Sequence, residues 1–249
     1  MNTHDSRWEV QLEGGSSDLE HLARHFTSGT ATVFKDDQDG AYLYYSDSFD
    51  ACATSEEVLH VADDQLSVLS GVLRFVRESH EPLRTGAVCK RHANGSRDVF
   101  VHIRDSLQLR AEFGEVTVSV TDAAGNLVQK PASPPRTVTI SALATNDAAV
   151  TKAMRLFAAP DAKTWVGLYR LHEVIEADVG GEHSMLNLGW GSQRDLKRFK
   201  HSANSVKVAG DAARHGKELD QPPSKPMTIE EATAYVNYVM HSWLASKGA

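Results

Sequence analysis

Between Arg194 and Lys217 the chain carries Arg194, Lys197, Arg198, Lys200, Lys207, Arg214 and Lys217 against only Asp195 and Asp211, a net charge of +5 over 24 residues. Clustered cations of this kind suit a phosphate-bearing ligand or a short RNA segment, because binding a phosphate backbone releases its condensed counterions. The plainer reading is a solvated helix face. Asn204, Asp211, Arg214 and His215 lie in the same stretch among small residues, with Gly210 and Gly216 close by. Such residues fit a polar site at a helix end, where free backbone N–H groups attract anions. They equally fit a helix C-terminus, with Arg and His in the last turn and Gly beyond it. Arg198, Lys200, Asn204, Asp211, Arg214 and His215 are therefore the candidate phosphate contacts.

The other chemistry-bearing residues read more quietly. The twelve histidines include no HExxH or HxH spacing and the two cysteines form no CxxC, so neither a metal site nor a cofactor is expected. His172 and Glu176 stand four apart on an expected helix and share a face. His172 also falls on the apolar stripe beside Trp165 and Leu168, which favours a core histidine. Asp37, Asp39 and Gly40 echo part of a calcium loop, but Lys35 and Ser46 occupy the positions where its first and last acids belong. A hairpin turn is expected there. There is no GxSxG elbow and no phosphate-binding P-loop. Gly189-Trp190-Gly191 is too short for a dinucleotide fingerprint, Cys52 and Cys89 read as small apolar residues, and Asn94-Gly95-Ser96 reads as a turn.

Two kinds of element are needed to position these groups. Trp8, Val10 and Leu12 alternate with polar residues as a half-buried strand does. Ser17 with Glu20 predicts a capping box opening a helix that presents Leu19, Leu22 and Phe26. Residues 30–35 and 41–46 read as a hairpin around Asp36–Gly40. Thr54 with Glu57 opens a long helix over about 55–79, carrying Val58, Ala62, Leu66, Leu69, Leu73 and Val76, and Pro82 closes it. Strands follow over 85–91, 98–104, 107–113 and 115–121, with turns at Asn94-Gly95 and Gly114. The order predicts an α+β fold, with helices on one face of a mainly antiparallel sheet. Residues 130–135 are a Pro-rich connector, so the domains are expected at 1–135 and 136–249. Residues 137–143 read as a last strand. Beyond them the pattern is helical, over about 146–157, 162–178 and 194–204, with Gly180-Gly181 as a stop. Pro222, Pro223 and Pro226 then force an extended loop. Thr228 with Glu231 caps a final helix bearing Ile229, Ala232, Val236, Val239, Met240 and Trp243.

The helical half, about 145–247, resembles the HEPN superfamily, small helical domains that include RNA-cleaving toxins and antiviral effectors. The family motif is Arg, a polar residue, three to five residues, then His. Arg194, Asp195 and His201 match it at its widest spacing. Arg97–His102 fits the same pattern and Arg74–His80 shares its spacing, with Phe75 in the polar place, but only Arg194–His201 lies in the helical half and inside the basic stretch. The resemblance implies that Arg194 and His201 are catalytic and act on the scissile phosphate without a metal ion, across a homodimer of the helical domain. RNA cleavage needs a base for the 2′-hydroxyl and a cation for the phosphate oxygens, which this pair would supply. The long loop after His201 and the Pro-rich segment before the last helix depart from the family pattern.

Composition limits the alternatives. The part before Pro135 holds 12 Lys and Arg against 21 Asp and Glu, a net of −9, which argues against wrapping the whole chain around nucleic acid. No apolar run reaches the roughly 20 residues of a membrane helix. The first residues lack a secretory apolar core, so a cytoplasmic setting is expected, and the resemblance implies a bacterial-type protein acting in stress or phage defence. The expected partner is RNA or a nucleotide, bound by the helical domain or bound and cleaved by it, with the acidic domain sensing, docking or restraining it. The rival is a non-enzymatic scaffold that uses the helical domain for dimerisation or partner docking.

Overall fold

The computed structural model describes residues 6–37, 39–102, 134–214 and 224–249. The expected strands at 107–113 and 115–121, most of the Pro-rich connector, Pro222, Pro223, Lys217 and His215 lie outside them. The chain divides into two compact units, residues 1–138 and 139–249.

The first unit is a five-stranded sheet: β1 (Ser6–Glu13), β2 (Ala31–Lys35), β3 (Tyr42–Ser46), β4 (Arg84–His92) and β5 (Arg97–Phe100), in spatial order β2-β3-β1-β4-β5. Every pairing is antiparallel, with Val10 opposite Tyr44 on one side of β1 and Val88 on the other. Alternation puts Trp8, Val10, Leu12, Val33, Tyr44 and Val88 into one core. Two helices cover that face. α1 (Ser16–His25) contributes Leu19 and Leu22, and α2 (Ser55–Arg77) contributes Val58, Ala62, Leu66, Leu69 and Leu73. This is the expected α+β arrangement.

Local signals set most of these boundaries. Thr54 and Glu57 form the reciprocal capping box at the start of α2, a device worth about 1 kcal/mol. The box expected at Ser17 and Glu20 does not form. Gly15 is the N-cap of α1 without a side-chain cap bond. The Ser17 hydroxyl accepts instead from Arg77, which also binds Asp18 at 2.9 Å. A charge-assisted contact from 60 residues away thus outcompetes the local box. The hairpin expected around Asp36–Gly40 forms between β2 and β3 and is clamped by an arginine. Asp36 N donates to Ala41 O, and Arg97 binds both Asp36 and Asp39.

The expected strand at 137–143 is helix: α3 spans Arg136–Asn146. Thr137, Ile140 and Ala144 are buried at i, i+3 and i+7. That helical face outweighs the strand preference of the β-branched run Thr137-Val138-Thr139-Ile140.

In the second unit α4 (Ala148–Ala158), α5 (Trp165–Asp178), α6 (Glu182–Asn187), α7 (Gln193–Asn204), α8 (Val206–Ala209) and α9 (Ile229–Ser246) follow in turn. The core draws on Val150 and Met154 from α4, Leu168, Leu171 and Ile175 from α5, Leu196 and Phe199 from α7, and Val236, Val239, Met240 and Trp243 from α9. Thr228 and Glu231 form the expected capping box of α9. No helix among the described residues is long and apolar enough to cross a membrane.

Candidate functional site

α7 is positioned by its ends and its apolar stripe. The Ser192 hydroxyl accepts from Asp195 N at 3.0 Å and fixes the start. Leu196, Phe199 and Ala203, at i, i+3 and i+7, are fully buried and seat the helix on the core. A second stripe is left outside at the complementary spacing: Arg194, Lys197, Arg198 and His201. These four, with Gln193, Ser224 and Lys225, line an open groove of about 640 Å³. Arg194 and His201 are seven residues apart. On a helix that is two turns, about 10 Å of rise, and nearly the same azimuth.

The cations of this stretch divide by what they touch. Arg198 donates Nε–H to Lys225 O at 3.0 Å and its terminal N–H groups to Pro226 O at 3.2 Å and Glu231 at 3.1 Å. It ties the 224–226 segment to α7 and so builds the far wall of the groove. Inside that wall Met227 N donates to the buried Ser202 hydroxyl at 2.9 Å. Lys200 turns out of the groove toward α5 and α6, where Glu176 lies at 2.9 Å and Glu182 at 3.1 Å. Burial draws the Lys200 pKa down, but the two carboxylates outweigh it and the net shift is upward. Arg214 pairs with Glu173 at 2.8 Å and lies 4.3 Å over the Tyr169 ring. By contrast Arg194, Lys197 and Lys225 form no ion pair among the described residues, and His201 is exposed beside them.

Of the expected site residues, then, Arg194, Arg198 and His201 meet in one groove. Lys200 and Arg214 neutralise carboxylates elsewhere. Asn204 ends α7 with its Oδ1 buried and, among the described residues, without a hydrogen-bond partner. Asp211 is exposed on the single 3₁₀ turn after α8. His215 lies outside the described residues. Gln193, Ser224 and Lys225 join the site without having been expected there. Lys197 was counted in the basic stretch but not singled out, although its i+3 spacing from Arg194 was the available signal. The Arg97–His102 spacing begins on β5, where Arg97 is spent on Asp36 and Asp39.

His172 is the core histidine that its stripe implied. It is fully buried, 5.3 Å from the Phe199 ring and 5.9 Å from the Tyr235 ring. Its Nδ1 lies 3.4 Å from Glu176, longer than a usual N–H···O bond. No group of three His, Cys, Asp or Glu side chains among the described residues is arranged to hold a metal ion. Cys52 and Cys89 are free thiols whose pKa values burial pushes up. Neither is thereby primed as a nucleophile.

No family model matches the chain, and comparison with curated proteins and with solved structures returns no match.

Proposed function

We propose that the helical unit binds RNA through the groove on α7. The observation that carries this reading is the division of the cations. Arg194, Lys197 and Lys225 form no ion pair among the described residues and share one open groove, while Arg198, Lys200 and Arg214 are committed to carboxylates. Exposed, uncompensated cations spaced along a helix match a run of phosphates, whereas paired ones gain little from a new anion. Arg198 holds the wall, and the first three cations make the contacts. The test is binding of a labelled single-stranded RNA to wild type and to Arg194→Ala/Lys197→Ala. The double variant is expected to bind at least tenfold more weakly with its fold unchanged, and equal affinity would refute the reading.

Cleavage of the bound strand is a second reading, favoured by His201 standing in the same groove as Arg194. On it, His201 takes the proton of a ribose 2′-hydroxyl as the 2′-oxygen bonds to the adjacent phosphorus and the bond to the 5′-oxygen breaks. The 5′-oxygen takes a proton from water, and Arg194 balances charge on the phosphoryl oxygens. A mixed RNA pool incubated with chelator should then be cut by wild type and spared by His201→Ala. An RNA pool left intact by wild type, beside retained binding, would leave a binding module.

A further inference from the structure

Among the described residues of the helical unit, Leu188 and Tyr238 are the large apolar side chains that stand more than half exposed, at 54% and 52%. Neither is random surface. The Tyr238 hydroxyl donates to Gly189 O at 3.3 Å, which fixes the ring. The chain then runs through Gly191, at φ +102°, where a Cβ would sit 2.8 Å from the Tyr235 ring. Ser192, the next residue, caps α7, and Arg194 lies in the first turn. Tyr238 is thus joined to the basic groove by the short segment 189–193, anchored by the buried Trp190. α9 makes the same connection. Glu231, the partner of Arg198 at the groove wall, and Tyr238 are seven residues apart, so they share a face about 10 Å from one another along the axis. The Tyr238 ring stacks on no other aromatic ring among the described residues.

Resting on the RNA reading of the α7 groove, we propose that Tyr238 is a stacking platform for an unpaired base of a single-stranded RNA whose phosphates lie on Arg194 and Lys197. A hydrogen-bonded aromatic ring open to water, on the same helical unit as a groove of exposed cations, is the pairing that single-strand binders use. The cations track the backbone, and the ring takes any base, because every base has a π-face. A duplex keeps its bases stacked on each other and offers the ring none. Charge selects the occupant: a groove lined by Arg194, Lys197 and Lys225, which form no ion pair among the described residues, fits a polyanion better than an apolar protein segment.

The experiment compares an oligoadenylate of about 12 nucleotides with an abasic strand of the same length and charge, within the site sizes such surfaces cover. Affinities are measured by fluorescence anisotropy for wild type, Tyr238→Ala and Tyr238→Trp. Wild type should favour oligoadenylate over the abasic strand by about tenfold, one stacked base. Tyr238→Ala should erase that preference and leave abasic binding unchanged, and Tyr238→Trp should keep it. Wild type binding both strands equally, or Tyr238→Ala retaining the preference, overturns the stacking role alone. Wild type binding neither strand overturns the groove reading and the platform together.

Discussion

Arg198 reaches from the middle of α7 to the Glu231 carboxylate, 3.1 Å away, and to the carbonyls of Lys225 and Pro226. The central cation of the basic helix is therefore a strut. It joins α7 to the N-terminus of α9 and holds Lys225 where that lysine faces Arg194 and Lys197 across the groove. Arg198→Ala removes three charge-assisted contacts and should cost about 1–2 kcal/mol. Denaturant unfolding measures it. The same variant should weaken RNA binding, because Lys225 loses its fixed place. A variant as stable as wild type would mean that other contacts hold the 224–226 segment.

Glu176 makes a second, independent prediction. The His172 ring beside it and then the Lys200 ammonium hold its carboxyl down to about 2, against the upward pull of burial. A carboxylate depressed in the folded state contributes stability that is complete above its ordinary pKa of 4.5 and is lost as pH falls toward 2. Wild type should lose stability over that window more steeply than Glu176→Gln, which has no carboxylate to protonate. Denaturant midpoints at a series of pH values report the difference, and parallel curves would show that the pair adds nothing.

Gly167 lies in the first turn of α5, where a Cβ would sit 2.1 Å from the carbonyl oxygen of Asp161. Backbone cannot yield as a flexible side chain does. Gly167→Ala should therefore destabilise by about 2–3 kcal/mol or more, despite the higher helix propensity of alanine. Gly180→Ala, with nothing closer than the Ser184 hydroxyl at 3.5 Å, tests the other cost, because its φ of +86° strains any side chain. Thermal melts of the two variants should place Gly167→Ala lower.

What was legible in the sequence was local. The helix expected over about 194–204 is α7, Gln193–Asn204. The capping boxes at Thr54–Glu57 and Thr228–Glu231 close because both partners lie within one turn. Where a distant group competes, local reading fails: Arg77 takes Ser17, and burial of Thr137 and Ile140 turns a strand-like run into α3. α6 is six residues long, too short to show a period. The site divides the same way. The Arg194–His201 spacing is visible along the chain, but charge counting cannot show which cations are neutralised. Lys200 meets Glu176 and Glu182, Arg198 meets Glu231 and Arg214 meets Glu173, all at separations of 18 to 41 residues along the chain. Only the folded chain separates Arg194, Lys197 and Lys225 from the rest.

The most direct test of the groove is the salt dependence of single-stranded RNA binding. Three unpaired cations on three phosphates predict a slope of log K against log salt of about −2, at about 0.7 per phosphate on a single strand. Arg194→Ala/Lys197→Ala should reduce it to about −0.7 while the fold is kept. A wild-type slope near zero, or the same slope in both proteins, would contradict the account.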